Sequence, residues 1–329
     1  MRILVTGGAG FIGTHLCRRL LKEGHKVVVV DNESNGTREN VPSQAGFVLG
    51  DVARPAEIEP VFAQGVDAVC HIAGQVSIGR SFMDPVADLR TNTEGTVNVL
   101  QMCVKYQVPR LIYASSMTIY GNGGIVPTPE SERANPDSYY GLTKYAAERY
   151  VHGTAERPDL GFDLKVTSLC MFSVYGPGQS FDNPYQGVLG IFLGNVMRGE
   201  PITIFGDGEQ TRDFVFVGDI IDGWIKALDN PAASAGGVFN LGSGRSLSIN
   251  ELAARAIAAL GHAPGSYPIH RAATRPGEQR SVQADISLAR KALRWEPQTA
   301  FEKGLAETAR WAKSEFAASM RTPVLAAGA

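Results

Sequence analysis

The stretch Arg2-Ile-Leu-Val-Thr-Gly7-Gly-Ala-Gly10-Phe-Ile-Gly13 opens the chain with a short apolar strand that runs into three glycines spaced three residues apart. Glycine allows a tight turn, lets backbone N–H groups approach a pyrophosphate, and lets a helix pack closely against a strand. An amphipathic helix is predicted directly afterwards, and a helix N-terminus carries partial positive charge. The stretch therefore predicts a dinucleotide-binding turn at the start of an α/β fold.

A second apolar strand, residues 27–30, ends in Asp31, which lies 18 residues after Gly13. A carboxylate at this position can accept hydrogen bonds from both hydroxyls of an adenosine ribose. The same negative charge would repel a 2′-phosphate. The spacing therefore predicts NAD as the cofactor rather than NADP.

The overall composition is that of an ordinary globular protein and favours no macromolecular partner. Of the 329 residues, 44% are hydrophobic and 19% are charged, and a formal net charge of −2 provides no basic field for nucleic acid or an anionic membrane. The chain starts directly on a strand, and its apolar runs have strand length. We therefore expect neither a signal peptide nor a membrane span.

The cysteine and histidine patterns favour no metal or disulfide site. Cys17, Cys70, Cys103 and Cys170 lie far apart in apolar surroundings, and the six histidines show no ligand spacing. Isolated apolar cysteines are typical of reduced core residues in a cytosolic protein. We therefore expect a cytoplasmic location and no bound metal.

Up to residue 172, apolar runs of strand length alternate with amphipathic runs of helix length. Strands are predicted over residues 3–6, 26–31, 47–50, 68–72, 110–114 and 165–172, and helices over residues 14–23, 55–64, 88–106 and 138–156. Such alternation is typical of a parallel sheet with helices on both faces, in which right-handed crossovers bring the carboxyl ends of the strands to one edge. We predict an α/β fold with a doubly wound parallel sheet of the Rossmann type.

Beyond Tyr175 the chain contains more loops. Helices are predicted over residues 188–197, 219–228, 248–260, 285–293 and 301–316, and a last sheet strand over residues 239–241. Ser248 and Glu251 form a capping-box pattern. We predict a smaller, partly interleaved C-terminal substrate domain. The predicted divisions are an NAD-binding domain over 1–172 with returning segments near 214–242, a substrate domain over 173–213 and 243–319, and a frayed tail over 320–329.

Tyr140 and Lys144 are the pair in this chain that most favours catalysis. At positions i and i+4 of one helix, a phenol and an ammonium share a face and can reach the same substrate atom. A free tyrosine has a pKa of about 10, and a nearby ammonium together with an oxidised nicotinamide would favour the phenolate. Ser116 follows a predicted strand at the ligand edge, where its hydroxyl can bond a substrate hydroxyl or carbonyl. We predict these three as the catalytic residues.

Together with other motifs along the chain, these residues resemble those of the extended short-chain dehydrogenase/reductases that modify nucleotide sugars, most closely the NDP-hexose 4-epimerases typified by UDP-glucose 4-epimerase. The resemblance runs from Met1 to about Trp311. Its motifs include the opening glycine stretch, Asp31-Asn32, Asp51-Val52, His71-Ile-Ala-Gly74, Asn92-Thr-Glu-Gly95, Ser115-Ser116, Tyr140-x-x-x-Lys144, Val174-Tyr-Gly-Pro-Gly-Gln179, Gly206-Asp-Gly-Glu-Gln-Thr-Arg212 and Arg275-Pro-Gly-Glu278.

The resemblance implies a role for residues at each of these motifs. Those implied to bind NAD are Gly7, Gly10, Phe11, Ile12, Asp31, Asn32, Asp51, Val52, Ala73, Gly74, Asn92, Tyr140, Lys144 and Phe172. Those implied to bind a sugar nucleotide are Ser116, Tyr140, Ser173, Val188, Arg212, Arg275 and Glu278. The two arginines would hold the diphosphate, which suits a fixed charge with bidentate donors, and Glu278 would accept from the nucleotide ribose.

The implied reaction is epimerisation at C4 of a nucleotide-diphosphate sugar of the UDP-glucose/UDP-galactose type, without net redox. Tyr140 would take the proton of the 4-hydroxyl while hydride leaves C4 for NAD. The 4-keto sugar would then turn over and receive hydride on its other face. The resemblance also implies tightly bound NAD and a homodimer, whose four-helix bundle is formed by residues 88–106 and 138–156.

Several positions depart from the family pattern and leave the sugar open. Cys170-Met-Phe-Ser173 stands where the family usually has Arg-Tyr-Phe-Asn, and a small hydroxyl residue at the last position resembles epimerases for UDP-glucuronate. Residues 180–188 resemble enzymes for dTDP-deoxyhexoses. Val282 falls at a position in the wall of the sugar site that is a tyrosine in strict glucose/galactose enzymes. The smaller side chain leads to the hypothesis that the site tolerates 2-N-acetyl sugars.

Other activities of the same fold also stay open at this point. A 4,6-dehydratase or uronate decarboxylase would need an acid just after Ser116, where this chain has Met117 and Thr118. A net reductase or dehydrogenase would exchange its cofactor in every turnover. A catalytically silent nucleotide sensor or scaffold would typically lack the Tyr140 and Lys144 pair. The sequence leaves the base, uridine or thymidine, undetermined.

Overall fold

The structure is a computed structural model that describes residues 1–122, 124–181, 187–275 and 277–319. Within these residues, the fold consists of thirteen strands and twelve α-helices. The strands are β1 (Arg2–Thr6), β2 (Lys26–Asp31), β3 (Gly46–Leu49), β4 (Ala68–His71), β5 (Arg110–Ser116), β6 (Lys165–Met171), β7 (Ser173–Tyr175), β8 (Ile202–Phe205), β9 (Thr211–Arg212), β10 (Phe214–Phe216), β11 (Val238–Leu241), β12 (Leu247–Ser248) and β13 (Ile269–Ala272). The helices are α1 (Phe11–Lys22), α2 (Pro55–Phe62), α3 (Ile78–Met83), α4 (Pro85–Leu89), α5 (Gly95–Lys105), α6 (Tyr139–Ala155), α7 (Val188–Arg198), α8 (Val217–Asp229), α9 (Pro231–Ser234), α10 (Ile249–Ala259), α11 (Ser287–Leu293) and α12 (Phe301–Ser319).

Seven strands form one parallel sheet in the order β11-β6-β5-β4-β1-β2-β3. The order reverses between β1 and β4, which is the switch point where ligands bind in doubly wound folds. All carboxyl ends of these strands therefore meet at one edge. The prediction of an α/β Rossmann-type sheet is confirmed, including the contribution of the late strand β11.

The strands are apolar on both faces because helices cover both. On β1, Ile3 and Val5 belong to one buried cluster with residues of α1 and α8, whereas Leu4 belongs to a second cluster with residues of α2, α5 and α6. Successive side chains of a strand point to opposite faces, so an unbroken apolar run serves two cores at once. This is the physical reason for the continuous apolar strands that the sequence shows.

The remaining elements build a third core around α7, α10 and α12. Short strand pairs flank it: β7 with β10, β8 with β13, and β9 with β12. Helix α10 begins at the predicted capping box, since Ser248 Oγ accepts from the Glu251 N–H and the Glu251 carboxylate accepts from the Ser248 N–H. The division of the chain into two domains stays a prediction.

The helix predicted over residues 88–106 differs from the prediction. It starts earlier, at Pro85, where Asp84 Oδ1 accepts from the Ala87 N–H, and one π-helical turn, Arg90–Glu94, separates α4 from α5. Turns of this kind are rare and often accompany functional sites.

Other differences are small. The helix predicted over 285–293 begins at Ser287, and the six-residue helix α3 and the two- to four-residue strands of the third core were not predicted, because such short elements carry little periodicity. The predicted tail, 320–329, and most of the 180–188 run lie outside the described residues. Across the described ranges, no helix combines the length and apolarity needed to cross a membrane.

Candidate active site

A cavity of about 820 Å³ lies along the carboxyl edge of the seven-stranded sheet. Its wall combines the turns after β1 to β6 with loops and strands of the third core. The predicted site residues that line it are Gly7, Gly10, Phe11, Ile12, Asp31, Asn32, Asp51, Val52, Ala73, Gly74, Ser116, Tyr140, Ser173, Val188, Arg212, Arg275 and Glu278. The fold thus brings residues from nearly every predicted motif to one cavity.

The glycine turn after β1 has no room for side chains. Gly7 has φ +73°, and a Cβ there would lie 2.7 Å from the Ala73 nitrogen. A Cβ on Gly13 would lie 2.1 Å from the Gly7 carbonyl oxygen, well inside van der Waals contact. Helix α1 starts at Phe11 with Gly10 as its N-cap, so its positive end faces the cavity. This cradle fits the pyrophosphate of a dinucleotide.

Asp31 ends β2 and connects the glycine turn with the next loop. Its two carboxylate oxygens accept from the Ala9 N–H at 2.9 Å and from the Glu33 N–H at 2.8 Å. Burial raises the pKa of this carboxyl, while these two hydrogen bonds act in the opposite direction. Each oxygen keeps a further lone pair, so the carboxylate can still accept from ribose hydroxyls. Its position therefore fits the predicted ribose contact of NAD.

Ser116 ends β5, and Tyr140 lies in the first turn of α6, so both face the cavity from neighbouring elements. Helix α6 is capped by Ser138 Oγ, which accepts from the Gly141 N–H. Ser116 Oγ also accepts from the Thr118 hydroxyl at 3.0 Å. Thr118, which the sequence does not single out as a functional residue, therefore helps to orient the serine hydroxyl.

The phenol of Tyr140 is held in its neutral form. Burial raises its pKa to about 12, and the neighbouring Ser116 hydroxyl only partly offsets this. The sequence-based expectation of a pKa lowered by the ammonium is therefore not met by the polypeptide alone. An additional positive charge in the cavity is needed before Tyr140 can act as a base near neutral pH.

Lys144 lies behind the cavity wall rather than in it. Its Nζ is 4.4 Å from the centroid of the Tyr113 ring, and a Cβ built on Gly74, which does line the cavity, would lie 3.9 Å from that Nζ. Burial lowers the pKa of Lys144 to about 8, against the attraction of the Glu148 and Asp88 carboxylates. A small residue at position 74 is what allows the ammonium to approach a ligand.

Replacing Lys144 by methionine is expected to stabilise the fold at neutral pH. A lysine whose pKa is about 8 when folded and about 10.5 when unfolded destabilises the native state by about 3 kcal/mol below pH 8. This difference disappears as the pH rises to about 10.5, the ordinary pKa of lysine. Urea unfolding of both proteins across this range tests the prediction, and an unchanged or lower stability of Lys144→Met at pH 7 would contradict it.

Asn92 was predicted to line the cofactor site, but it lies behind the wall with an exposed fraction of 1%. In the π-helical turn, its Oδ1 accepts from the Gln75 N–H, and its Nδ2 donates to Asp88 Oδ1 and to Thr143 Oγ1. Oδ1 also lies 2.9 Å from a Cβ built on Gly74. Asn92 therefore positions the wall near Gly74, in a network whose other members, Asp88 and Thr143, the sequence did not indicate.

Two further predictions differ from the structure. The side chains of Phe172 and Val282 are buried in the large cluster that includes Trp224 and are not part of the cavity wall. The hypothesis that Val282 widens the sugar site is therefore wrong, because this residue packs into the core. Phe172 supports the site through its neighbour Ser173, which does line the cavity.

Two arginines and a glutamate form the second charged region of the cavity. Arg212 Nη2 donates to Glu278 Oε1, and Arg212 Nη1 donates to the carbonyls of Thr211 and Gln279. The guanidinium carbon of Arg275 lies 3.6 Å from the centroid of the Phe205 ring. Phe205 lines the cavity and was missed by the sequence analysis, although it ends an apolar run directly before the Gly206-Asp-Gly motif.

In the described part of the chain, no three His, Cys, Asp or Glu residues come together as a metal site. The four cysteines are all buried and unpaired. The cavity wall carries hydroxyl groups of Ser116 and Tyr140 and guanidinium groups of Arg212 and Arg275.

Comparison with known proteins gives relatives that match most of the chain. Residues 3–242 match the model of the NAD dependent epimerase/dehydratase family. The UDP-glucose 4-epimerase of Mycolicibacterium smegmatis is 35% identical over 96% of this chain and 99% of its own length. A UDP-glucuronic acid decarboxylase of Xenopus tropicalis is 31% identical over 96% of this chain and 73% of its own length.

Among solved structures, UDP-glucose 4-epimerase of Thermotoga maritima with UDP-glucose superimposes with a TM-score of 0.90, at 35% identity, over 96% of this chain and 100% of that one. The shared fold, the length of the matches and the glycine cradle all agree with the family's cofactor. This chain therefore belongs to the NAD dependent epimerase/dehydratase family, and its cofactor is NAD.

Proposed function

We propose that this enzyme epimerises C4 of a nucleotide-diphosphate sugar of the UDP-glucose/UDP-galactose type through a transient 4-keto sugar. The observation that carries the proposal is the pairing, in one cavity, of a Ser116–Tyr140 hydroxyl pair with an arginine pair suited to a diphosphate. The relatives named UDP-glucose 4-epimerase support the same reaction.

In the proposed mechanism, Tyr140 takes the proton from the 4-hydroxyl and later returns a proton to the 4-keto oxygen. The glycine turn and Asp31 would hold NAD, which would supply a hydride acceptor for C4 and a positive charge that favours the Tyr140 phenolate. The Ser116 hydroxyl donates a hydrogen bond to the oxygen at C4. The Lys144 ammonium lies directly behind Gly74, where its positive charge favours the phenolate form of Tyr140.

The positions after the catalytic serine disfavour a dehydratase or decarboxylase. Met117 and Thr118 line the cavity next to Ser116. A thioether cannot exchange protons, and an alcohol does so poorly at neutral pH, so neither can act as the acid or base that elimination at C5 and C6 requires. Relatives with decarboxylase activity share the fold, but this local chemistry favours the epimerase.

The charges of the cavity wall favour a neutral sugar over a uronic acid. The cationic side chains in the described part of the wall are Arg212 and Arg275, and both are needed for the diphosphate. The C6 carboxylate of a UDP-glucuronate would then be buried without a cation of its own, which is strongly unfavourable. We therefore propose a substrate with an uncharged C5 substituent.

The test is an NMR assay of the purified enzyme without added cofactor, with UDP-glucose, UDP-N-acetylglucosamine, UDP-glucuronate and dTDP-glucose offered separately. We expect the C4 epimer of a neutral sugar nucleotide to appear, and turnover of UDP-glucuronate to be at least about tenfold slower. A 4-keto-6-deoxy sugar, a pentose product, or a strict requirement for added NADH would contradict the proposal.

We also propose a homodimer formed through α3, α4 and α6. These helices contact one another and expose several large apolar side chains: Phe82, Met83, Val86, Leu89, Tyr139, Leu142 and Tyr150. Exposed large apolar side chains concentrated on helices in mutual contact are typical of a subunit interface. A cytoplasmic location is proposed as well, since four buried free cysteines suit a reducing compartment.

Light scattering at micromolar concentration is expected to give twice the 35.2 kDa mass of the chain. Leu142→Glu places a charge in the proposed interface and is expected to give a monomer. Leu288→Glu, at an exposed leucine on α11, serves as the control and should leave the mass unchanged. A monomeric wild-type protein would contradict the proposed dimer.

A further inference from the structure

Groups of the protein itself engage both terminal nitrogens of the Arg212 guanidinium. Its Nη1 donates to the Gln279 carbonyl at 2.7 Å and to the Thr211 carbonyl at 2.8 Å, and its Nη2 donates to the Glu278 carboxylate. The Arg212 and Glu278 side chains are 13% and 20% exposed, so this ion pair is largely shielded from water. The two carbonyls accept from Nη1 and hold the guanidinium in place, and the carboxylate accepts from Nη2.

Arg275 is in a different state. Its guanidinium carbon lies 3.6 Å from the centroid of the Phe205 ring, and burial lowers the pKa of Arg275 from its ordinary value, with Glu278 acting in the opposite direction. In the described ranges of the chain, no carboxylate forms an ion pair with it. A stacked guanidinium keeps its in-plane N–H donors available, so Arg275 can receive an anion directly.

We propose that the Glu278 carboxylate occupies the place on Arg212 that the substrate diphosphate takes, and that binding exchanges one anion for the other. A carboxylate and a phosphate oxygen compete for the same guanidinium edge because both accept the same charge-assisted hydrogen bonds. The proposal rests on the proposed function, which assigns a nucleoside diphosphate to this part of the cavity. Glu278 is then a specificity-determining residue as well as the ribose contact that the resemblance implies.

The exchange has a consequence for selectivity. When a diphosphate displaces Glu278 from Arg212, the carboxylate loses its cation and needs new donors in a partly buried site. The vicinal hydroxyls of a nucleotide ribose can supply them, whereas inorganic pyrophosphate cannot. Glu278 thus weakens the binding of diphosphates that lack a ribose diol, and the site distinguishes a nucleotide from a simple polyphosphate.

The test measures dissociation constants by calorimetry for inorganic pyrophosphate, UDP and 2′,3′-dideoxy-UDP, with wild-type enzyme and Glu278→Gln. In the variant, pyrophosphate is expected to bind about tenfold more tightly, because one competing charge-assisted hydrogen bond is removed. UDP is expected to bind no more tightly than before, and the preference for UDP over its dideoxy analogue is expected to shrink. A gain in affinity for pyrophosphate that UDP does not share cannot come from a general structural defect.

Asp207→Asn is the matched control, because Asp207 also pairs with an arginine, Arg280, but outside the cavity wall. It should leave all three constants unchanged. Glu278→Asp, which keeps the charge, should bind pyrophosphate as weakly as the wild type does. Unchanged or weaker pyrophosphate binding by Glu278→Gln would overturn the exchange, whereas failure of the wild type to bind UDP at all would instead overturn the proposed function.

Discussion

Replacement of Tyr140 by phenylalanine is expected to lower kcat for C4 epimerisation by about a hundredfold or more. The ring and its packing remain, but the group that exchanges a proton with the oxygen at C4 is lost. Because burial alone raises the pKa of this phenol to about 12, its neutral form suits the buried site, and removing the hydroxyl should not destabilise the fold. Turnover by NMR, together with the melting temperature, measures both effects.

The neighbouring residue offers the matched control. Tyr139 lies on the same helical turn, but it is 46% exposed and packs against Phe82 at a ring separation of 5.4 Å. Tyr139→Phe is expected to leave kcat within about twofold of the wild type, since surface substitutions of this kind change little. A Tyr140→Phe enzyme as active as Tyr139→Phe would exclude the proposed proton transfer.

Substitution of Gly13 by alanine is expected to abolish NAD binding and to destabilise the fold by about 3 kcal/mol. The added methyl group would lie 2.1 Å from the Gly7 carbonyl oxygen and 2.7 Å from the Gly8 Cα, so α1 must move away from the turn after β1. Backbone atoms cannot rotate away as a side chain can. Both the close helix–strand packing and the pyrophosphate cradle depend on this contact.

Gly153→Ala controls for the substitution itself. Gly153 lies in α6, and a Cβ there meets no heavy atom within 4 Å. Alanine is the better helix former, so this variant is expected to gain roughly 0.5–1 kcal/mol and to keep its NAD content. The Gly13→Ala and Gly153→Ala variants are compared by their NAD content, measured by absorbance after denaturation, and by their stability in urea unfolding. Wild-type NAD content in Gly13→Ala would contradict the role assigned to the glycine turn.

The predictions that succeeded rest on local sequence signals. The alternation of apolar strands and amphipathic helices predicted the sheet, and the Ser248–Glu251 pattern predicted the start of α10. Tyr140 and Ser116 line one cavity, as expected, because one opens a helix and the other ends a strand at the same edge of the sheet. Periodicity, caps and strand ends are properties of neighbouring residues, so the sequence alone can show them.

Where several other side chains lie depends on distant packing, which the sequence does not show. Asn92 and Lys144 lie behind the wall, because the cavity surface there is formed by Gly74. Val282 packs into the core instead of facing a sugar. Burial also adds an electrostatic effect that the sequence did not show, since it raises the pKa of Tyr140 more strongly than the neighbouring Ser116 hydroxyl lowers it.

The sequence by itself determined the parallel sheet, the glycine cradle and the preference of Asp31 for NAD, because each depends on a run of adjacent residues or on a fixed spacing after a strand. Only the tertiary structure decided which polar groups meet. Arg212 and Glu278 are 66 residues apart in the chain, and their ion pair exists only because the third core folds over the sheet edge. Burial, which sets both the pKa of Tyr140 and the competition for Arg212, is a property of the packed molecule.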